Sequence, residues 1–338
     1  MTKALIFGVN GQDGSYLAEL LLEKGYEVVG WAPANIPITF ENIYHILDRI
    51  NLLRGDITSQ ESISESIHTY HPNEIYNLAS PSSPAASWES AVSVGDIAGL
   101  GVARLLEAIR TGCPQAHFYQ ASSSELFGNP FESPQNERTP FQPTSPYGVA
   151  KLYAHWLTAI YRQRYSLYAV SGILYNHESP RRGFDFVSRK ITRGASKIKL
   201  GLAQQLILGN LEARRDWGYA PDYVQAMWLM LQQDQPADFV IGTGKTHTVR
   251  ELCECAFGYL DLDYREYIIQ DQRLFQAEQG KDRVADGTRA RELLHWEPRI
   301  SFEEFVREMV DTDMDQLTTE FSESNPSPFG RSQEEGKT

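Results

Sequence analysis

Short apolar runs alternate with segments of helical apolar spacing through the first 175 residues. The runs are typical of β-strands, and Gly25 ends the first helical segment as a stop signal. Strands alternating with helices are joined in parallel by right-handed crossovers. The pattern therefore predicts an α/β protein with a doubly wound parallel sheet. Predicted strands are 4–7, 26–29, 51–53, 74–78, 117–121 and 168–175, and the main predicted helices are 16–25, 99–110 and 147–165.

This alternation weakens after about residue 175. Residues 177–215 are rich in Arg, Lys and Gly, and helical patterns then return. We interpret this half as a smaller, mainly helical substrate lobe, with one strand near 238–242 returning toward the main sheet. The predicted domains are 1–175 and 176–317, followed by a disordered tail at 318–338 that is rich in Ser, Glu, Pro and Gly. The helical patterns of the lobe are 221–232, 248–259, 289–294 and 302–315.

Composition narrows the class of protein. The chain has 338 residues and a net charge of −13, which argues against general nucleic-acid binding because phosphates require a Lys/Arg face. Cys113, Cys253 and Cys255 lack zinc-site spacing, so we predict no metal site and reduced thiols. The chain shows no signal-peptide pattern and no apolar run of about 18 residues, so we predict a cytoplasmic protein without a membrane span.

A glycine-rich loop, Gly8–Gly14, directly follows the first predicted strand and opens the first helix. Glycines permit a tight turn and let backbone N–H groups approach a diphosphate at the positive end of the helix. The spacing G-x-x-G-x-x-G in this context predicts a dinucleotide site. After the second strand, an acid would favour NAD and an Arg would favour NADP. Residues 30–37 contain neither, so this position leaves the choice open.

Two further segments suggest catalytic side chains. Ser123 and Glu125 follow the predicted strand 117–121, and alternation along extended backbone would place both on one face. Tyr147 and Lys151 are four residues apart, so they share one face of the predicted helix. A Lys ammonium beside a phenol favours the phenolate, which could remove a proton from a sugar hydroxyl during hydride transfer.

Seven stretches, 8–31, 72–81, 118–129, 145–157, 172–184, 208–233 and 239–253, carry a resemblance to a known family. They resemble the extended short-chain dehydrogenase/reductase family, with its Rossmann sheet. Segments 176–183 and 215–218 resemble more narrowly the GDP-mannose 4,6-dehydratase branch. The resemblance covers residues 3–312, which is most of the chain.

The resemblance implies a hydro-lyase that converts GDP-mannose to GDP-4-keto-6-deoxymannose with an internally recycled nicotinamide cofactor. Tyr147, assisted by Lys151, would deprotonate the C4 hydroxyl, and Glu125 with Ser123 would serve the elimination of water across C5 and C6. An epimerase, a decarboxylase or a 4-keto reductase of the same fold is the alternative. Glu125 separates these classes, because a simple 4-epimerase or reductase needs no base at C5.

The resemblance also implies NADP as the cofactor, with NAD remaining open, a nucleotide-sugar substrate, and a homodimer or homotetramer. The implied substrate contacts are Ser82, Asn176, Arg215 and Arg273. Independently of the resemblance, the residues themselves indicate an anion site. Local positive charge for an anionic ligand is supplied by the pairs Arg181–Arg182 and Arg214–Arg215. The implied cofactor contacts are Gly8, Gly11, Gln12, Asp13, Gly14, Asp56, Ile57, Leu78, Ala79, Ser80, Lys151, His177 and Arg182.

Four departures from the family pattern concern the rim of the site. Residues 32–35 lack the Arg expected after the second strand, and residues 80–84 replace an Ala-Gln-Ser-His-like stretch. Ser93 stands where a Tyr is expected, and residues 275–279 lack the expected Arg and Glu. The expected Thr before the catalytic Ser-Glu pair is Ser123, which keeps the hydroxyl. The predicted chemistry is therefore better supported than the predicted substrate.

Overall fold

The computed structural model describes residues 1–34, 37, 39–275 and 281–324. It divides into two compact units. The first comprises 1–181, 214–247 and 277–302, and the second comprises 182–213, 248–276 and 303–338. The first unit thus includes two segments that lie beyond the single boundary we predict near residue 175.

The first unit is built on a seven-stranded sheet. Its strands are β1 (Lys3–Phe7), β2 (Glu27–Pro33), β3 (Asn51–Gly55), β4 (Glu74–Asn77), β5 (His117–Ser123), β6 (Ala169–Leu174) and β10 (Phe239–Ile241). The strand order is β10-β6-β5-β4-β1-β2-β3, and every pair is parallel. The predicted doubly wound sheet is confirmed, and so is the late strand that returns to it.

Two apolar layers cover this sheet. In β1, Ala4 and Ile6 face one layer, and Leu5 and Phe7 face the other, as alternation in a strand buried on both faces requires. The helices of the first unit are α1 (Gln12–Glu23), α2 (Gln60–Tyr70), α3 (Ala91–Val94), α4 (Gly101–Gly112), α5 (Pro146–Tyr165) and α7 (Ala220–Leu231). A π-helical turn, Gly95–Leu100, joins α3 to α4, and another spans Ala290–Leu294.

A smaller three-stranded sheet was not predicted. It contains β7 (Asn176–Glu178), β9 (Arg214–Tyr219) and β11 (Thr246–Thr248), in the order β11-β9-β7. Two of these strands have only three residues, which is too short to show a periodic pattern. β7 pairs in parallel with β9, which sets Asn176 opposite Trp217.

The second unit contains α6 (Val187–Lys199), α8 (Val249–Tyr259) and α9 (Phe302–Ser324), with the parallel pair β8 (Leu206–Leu208) and β12 (Ile268–Gln270). Arg189 and Asp313 form a buried ion pair of 2.7 Å between α6 and α9. The prediction of disorder from residue 318 is wrong for 318–324, which continue α9; the rest of that tail lies outside the described residues. Of the helices described, none is both long and apolar enough to cross a bilayer.

Candidate active site

The glycine loop makes its closest contacts through backbone. Gly8 has a φ of +85°, and a Cβ there would lie 3.0 Å from the Ala79 nitrogen. A Cβ on Gly14 would lie 2.1 Å from the carbonyl oxygen of Gly8, while the Gly11 N–H donates to that same oxygen at 3.1 Å. The loop is therefore tight because its glycines lack side chains, and it leads directly into α1, which begins at Gln12.

This loop fits the diphosphate of a dinucleotide. The backbone can turn this tightly because Gly8 and Gly14 have no Cβ, and the start of the helix offers N–H groups to an anion. The loop also lies at the carboxyl end of β1, between β2 and β4, which is where the strand order reverses and such sheets bind ligands. The residues present thus fit a nicotinamide dinucleotide, whose nicotinamide would accept and return a hydride.

His177 and the start of α1 are joined by hydrogen bonds. His177 Nε2 lies 2.9 Å from Asp13 Oδ2, and its Nδ1 lies 2.7 Å from the Tyr175 carbonyl. Gln12 donates to the His177 carbonyl at 3.1 Å and accepts from the Ser179 hydroxyl at 2.8 Å. The chain thereby places His177, Gln12 and Asp13 together; their contact with a cofactor stays a prediction.

The other predicted cofactor residues of the first unit follow strands β3 and β4. Asp56 Oδ1 accepts from the backbone N–H and the hydroxyl of Thr58, at 2.8 and 2.7 Å, which fixes the turn after β3. Ile57 is buried beneath this turn. Leu78, whose N–H donates to Phe7, begins the segment that contains Ala79 and Ser80. Both turns lie at the ligand-binding edge of the sheet.

Helix α5 brings Tyr147 and Lys151 together as predicted. Ser145 caps the helix by accepting from the Gly148 N–H at 3.0 Å, and Pro146 suits the first helical position. The Lys151 ammonium nitrogen lies 5.7 Å from the centre of the Tyr147 ring. Both side chains are buried. The spacing of four residues on one helix therefore gives a phenol and an amine in one enclosed place.

Burial lowers the pKa of the Lys151 ammonium group. Its Nζ donates to the Ala121 carbonyl at 2.9 Å. Desolvation lowers the pKa of Lys151 to about 8, opposed in part by the charge of Asp13. The amine is thus close to half-protonated at slightly alkaline pH, unlike an exposed lysine.

Glu125 does not lie on extended backbone, so our alternation argument for Ser123 and Glu125 is wrong. β5 ends at Ser123, and residues Ser124–Leu126 form a 3₁₀ turn. Ser123 Oγ accepts from the Glu125 N–H at 3.2 Å and so caps this turn. α5 packs closely on the turn, because a Cβ on Gly148 would lie only 2.9 Å from the Glu125 carbonyl oxygen. The start of α5, with Tyr147, is therefore next to Glu125.

Arg283 contacts Glu125, and sequence reasoning gave Arg283 no role. Its Nη1 lies 2.5 Å from Glu125 Oε1, and each side chain is 19% exposed. The two residues are 158 positions apart. No local spacing or motif connects them, so no signal in this single sequence could have found the pair.

The predicted positive cluster is only partly available to a ligand. Arg181 lies 2.6 Å from Glu19 and stacks on Tyr16, and Arg214 pairs with Asp282 at 3.6 Å. Asn176 and Arg215 are half-buried on the neighbouring strands β7 and β9, whereas Ser82 is exposed. Arg182 and Arg273 belong to the second unit, where Arg182 stacks on Phe186 and Arg273 pairs with Asp271.

These features define a class of protein. A parallel sheet with a glycine loop after its first strand, together with a buried Tyr-x-x-x-Lys helix beside an acidic turn, is typical of an extended short-chain dehydrogenase/reductase. Residues 5–309 match the family described as GDP-mannose 4,6 dehydratase. The chain belongs to that family.

Individual relatives agree with this assignment. GDP-mannose 4,6 dehydratase 2 of Arabidopsis thaliana is 46% identical over 324 residues, covering 92% of this chain and 87% of the relative. Among solved structures, dTDP-glucose 4,6-dehydratase from Bacillus anthracis, in complex with NAD, has a TM-score of 0.82 at 20% identity, covering 95% and 98% of the two chains. RMD from Pseudomonas aeruginosa, complexed with NADPH, has a TM-score of 0.80 at 20% identity, covering 94% and 100%.

The comparisons confirm the predicted family and, with it, the predicted class of enzyme, a nucleotide-sugar 4,6-dehydratase that uses a nicotinamide cofactor. The structural neighbours, at 20% identity, support the fold alone. The roles of individual side chains stay predictions.

Proposed function

We propose that the protein dehydrates GDP-mannose to GDP-4-keto-6-deoxymannose. The supporting observation is the close packing of the Tyr147 end of α5 on the turn that carries Glu125, across Gly148. This packing places the residue that carries a candidate base for a sugar hydroxyl and the residue that carries a candidate base for a carbon-bound proton on adjoining backbone segments. A dehydratase needs both, whereas a 4-epimerase or a simple reductase needs only the first.

In the proposed reaction, Tyr147 acts as a phenolate that the Lys151 ammonium stabilises, and it becomes a phenol by accepting the proton of the C4 hydroxyl. A bound nicotinamide would supply the redox chemistry, as acceptor of the C4 hydride and donor of hydride to C6. The C4 ketone acidifies the C5 proton, which Glu125 removes. The electrons of the C5–H bond form a C5–C6 double bond as the C6 hydroxyl leaves, and it leaves as water by taking the proton that Tyr147 accepted from the C4 hydroxyl. A proton finally returns to C5 as hydride reaches C6.

The test is incubation of the purified protein with GDP-mannose and nicotinamide dinucleotide, followed by mass spectrometry of the nucleotide sugar. We expect a product lighter by one water that develops near-ultraviolet absorbance in alkali. dTDP-glucose and UDP-glucose serve as alternative substrates. Conversion of one of these in place of GDP-mannose would contradict the proposed substrate, and an epimerised product of unchanged mass would contradict the proposed reaction.

For the cofactor we propose NADP, with Arg54 supplying the positive charge that residues 32–35 lack. Arg54 lies on β3 opposite Ala32 of β2. Its exposed guanidinium extends over the end of β2, with Nε 2.9 Å from the Pro33 carbonyl and Nη2 3.5 Å from that of Ala34. The ribose 2′-phosphate of NADP is expected at this strand end, and a guanidinium is well suited to bind it.

Arg54→Leu should weaken NADP binding about 10- to 100-fold while leaving NAD binding little changed, since a hydrogen bond to a charged group contributes about 1.5–3 kcal/mol. Titration calorimetry with both dinucleotides measures the ratio of the two dissociation constants. Arg49→Leu, an exposed arginine, is the control. An unchanged ratio in Arg54→Leu would contradict this assignment.

We also propose a homodimer formed through α5. Val149, Tyr153, Trp156 and Ile160 recur at helical spacing and are 46–55% exposed, which is unusual for a large apolar stripe. Sedimentation should give a dimer for the native protein and a monomer for Trp156→Glu; a native monomer would contradict the proposal, and a tetramer would indicate a second interface.

Family membership and three free thiols support a cytoplasmic location.

A further inference from the structure

The Arg283–Glu125 ion pair has no place in the reaction as described above. The Arg283 guanidinium binds Glu125 through Oε1 at 2.5 Å. Among the residues that the structure describes, no hydrogen bond reaches the other carboxylate oxygen, Oε2. The carboxylate is therefore held at one oxygen, and the second remains able to accept a proton.

The backbone that follows Arg283 is fixed by buried polar groups. The Val284 N–H donates to the side chain of buried Gln135 at 2.9 Å, and the Gln135 N–H donates back to the Val284 carbonyl at 2.8 Å. The Ala285 N–H donates to buried Asp216 at 3.0 Å. Arg283 thus projects from a segment with little freedom, although it belongs to no helix or strand.

The turn that carries Glu125 is fixed in the same way. Ser123 caps it, and the Gln142 N–H donates to the Leu126 carbonyl at 2.8 Å. An ion pair between two immobilised partners loses little conformational freedom on forming, and a charge-assisted hydrogen bond prescribes the direction of the carboxylate. A guanidinium is suited to this role because it cannot accept the proton that the carboxylate removes.

We propose that Arg283 is a positioning residue for Glu125, holding Oε1 so that Oε2 receives the C5 proton. The inference rests on the proposed dehydratase function and deepens it. The same proton then leaves Oε2 for C5 at the end of the cycle, so Glu125 returns to the carboxylate that Arg283 binds. Arg283 itself exchanges no proton and contacts no reacting atom.

The first experiment needs no substrate or cofactor. Melting temperatures of the native protein, Arg283→Leu, Glu125→Gln and the double variant form a double-mutant cycle. If the pair exists in solution, the two single shifts will not add, because either change alone already removes the charge pairing. Additive shifts would overturn the proposal.

The second experiment measures the removal of the C5 proton. With GDP-mannose deuterated at C5, Arg283→Leu should lower kcat about 10- to 100-fold, less than the loss of a general base, with little change in KM. The isotope effect on kcat should increase, because C5 proton removal becomes rate-limiting. Arg283→Lys should recover part of kcat. Arg110→Leu, which removes a surface ion pair with Glu107, is the matched control and should behave as native.

The competing role for Arg283 is direct binding of the substrate diphosphate. In that case KM would increase and the isotope effect would stay at the native value, which would overturn the positioning role. A native protein that converts no nucleotide hexose would overturn the proposed function and this inference with it. An active native protein with an unchanged isotope effect in Arg283→Leu would overturn only the inference.

Discussion

The glycine loop and the region around Glu125 are constructed in different ways. The loop is continuous in sequence, and its closest contacts run between backbone atoms of Gly8, Gly14 and Ala79. The region around Glu125 is assembled from β5, α5 and the segment near Arg283, and its contacts run through side chains. The first depends on the absence of side chains, and the second on their chemical identity.

Because of this difference, the two regions should tolerate different amino-acid substitutions. A backbone-lined loop should be insensitive to conservative exchanges except where a Cβ is added. A cluster of titratable side chains should lose function on isosteric exchange while the fold persists. Substitutions in the two regions test this contrast.

Glu125→Gln should lower kcat about 100- to 10,000-fold, since the amide cannot remove the C5 proton. The melting temperature should change little, because a partly exposed ion pair contributes at most about 1 kcal/mol. Steady-state kinetics and dinucleotide titration measure both effects. Glu107→Gln, another acid paired with an arginine, is the control. Native turnover in Glu125→Gln would refute the role assigned to this carboxylate.

Gly14→Ala should weaken dinucleotide binding and destabilise the fold by about 1–3 kcal/mol. The added Cβ would lie 2.1 Å from the Gly8 carbonyl, so the loop must move. Denaturant unfolding and dinucleotide titration test this. Gly258→Ala is a matched helical glycine with open space around its Cβ, and it should be stabilising by about 0.5–1 kcal/mol. Equal effects of the two exchanges would show that close backbone packing does not define the loop.

The burial of Lys151 predicts a pH-dependent stability in the absence of cofactor. Below pH 8 the folded protein keeps a desolvated ammonium, which lowers its free energy of unfolding. From pH 8 to about 10.5 the folded protein loses the proton that the unfolded chain retains, so stability gains about 3 kcal/mol.

Lys151→Met removes this titration and is the reference. The free energy of unfolding of the native protein relative to Lys151→Met should increase with pH across that window, as measured by urea unfolding at several pH values. Subtracting the variant cancels the titration of tyrosines in the same range. A difference that does not vary with pH would mean that Lys151 is solvated in the folded protein.

The smallest effect is expected at Ser123. Ser123→Thr keeps the hydroxyl that accepts from the Glu125 N–H, so kcat should stay near the native value. Ser123→Ala removes that cap and should cost about 1 kcal/mol of stability, with a moderate fall in kcat. Melting curves and initial rates compare the two variants. A larger loss in the threonine variant than in the alanine variant would mean that space, and not the hydroxyl, matters there.

Local patterns explain most of what the sequence predicted correctly. The strand before Gly8 and the helix after it lie within 23 residues, and Tyr147 and Lys151 share one helix, so periodicity alone locates them. The same reasoning failed at Glu125, because the point where β5 ends depends on the serine cap and not on hydrophobic alternation.

Contacts between segments that are far apart in the chain could not be predicted from a single sequence. The three-residue strands β7 and β11 have no period to detect. The sequence predicts positive charge at Arg181 for an anionic ligand, but the fold places Glu19 beside this guanidinium. Arg283 reaches Glu125 from a backbone segment that Gln135 and Asp216 hold, and these residues are distant in the sequence.

The most direct test of the account follows the hydrogen at C4 of the substrate. GDP-mannose deuterated at C4 is turned over, and the product is examined by nuclear magnetic resonance. If Tyr147, Lys151 and Glu125 act on one hexose beside one nicotinamide, the deuterium will appear at C6 of the product. Deuterium that remains at C4, or is lost from the sugar altogether, would contradict the account.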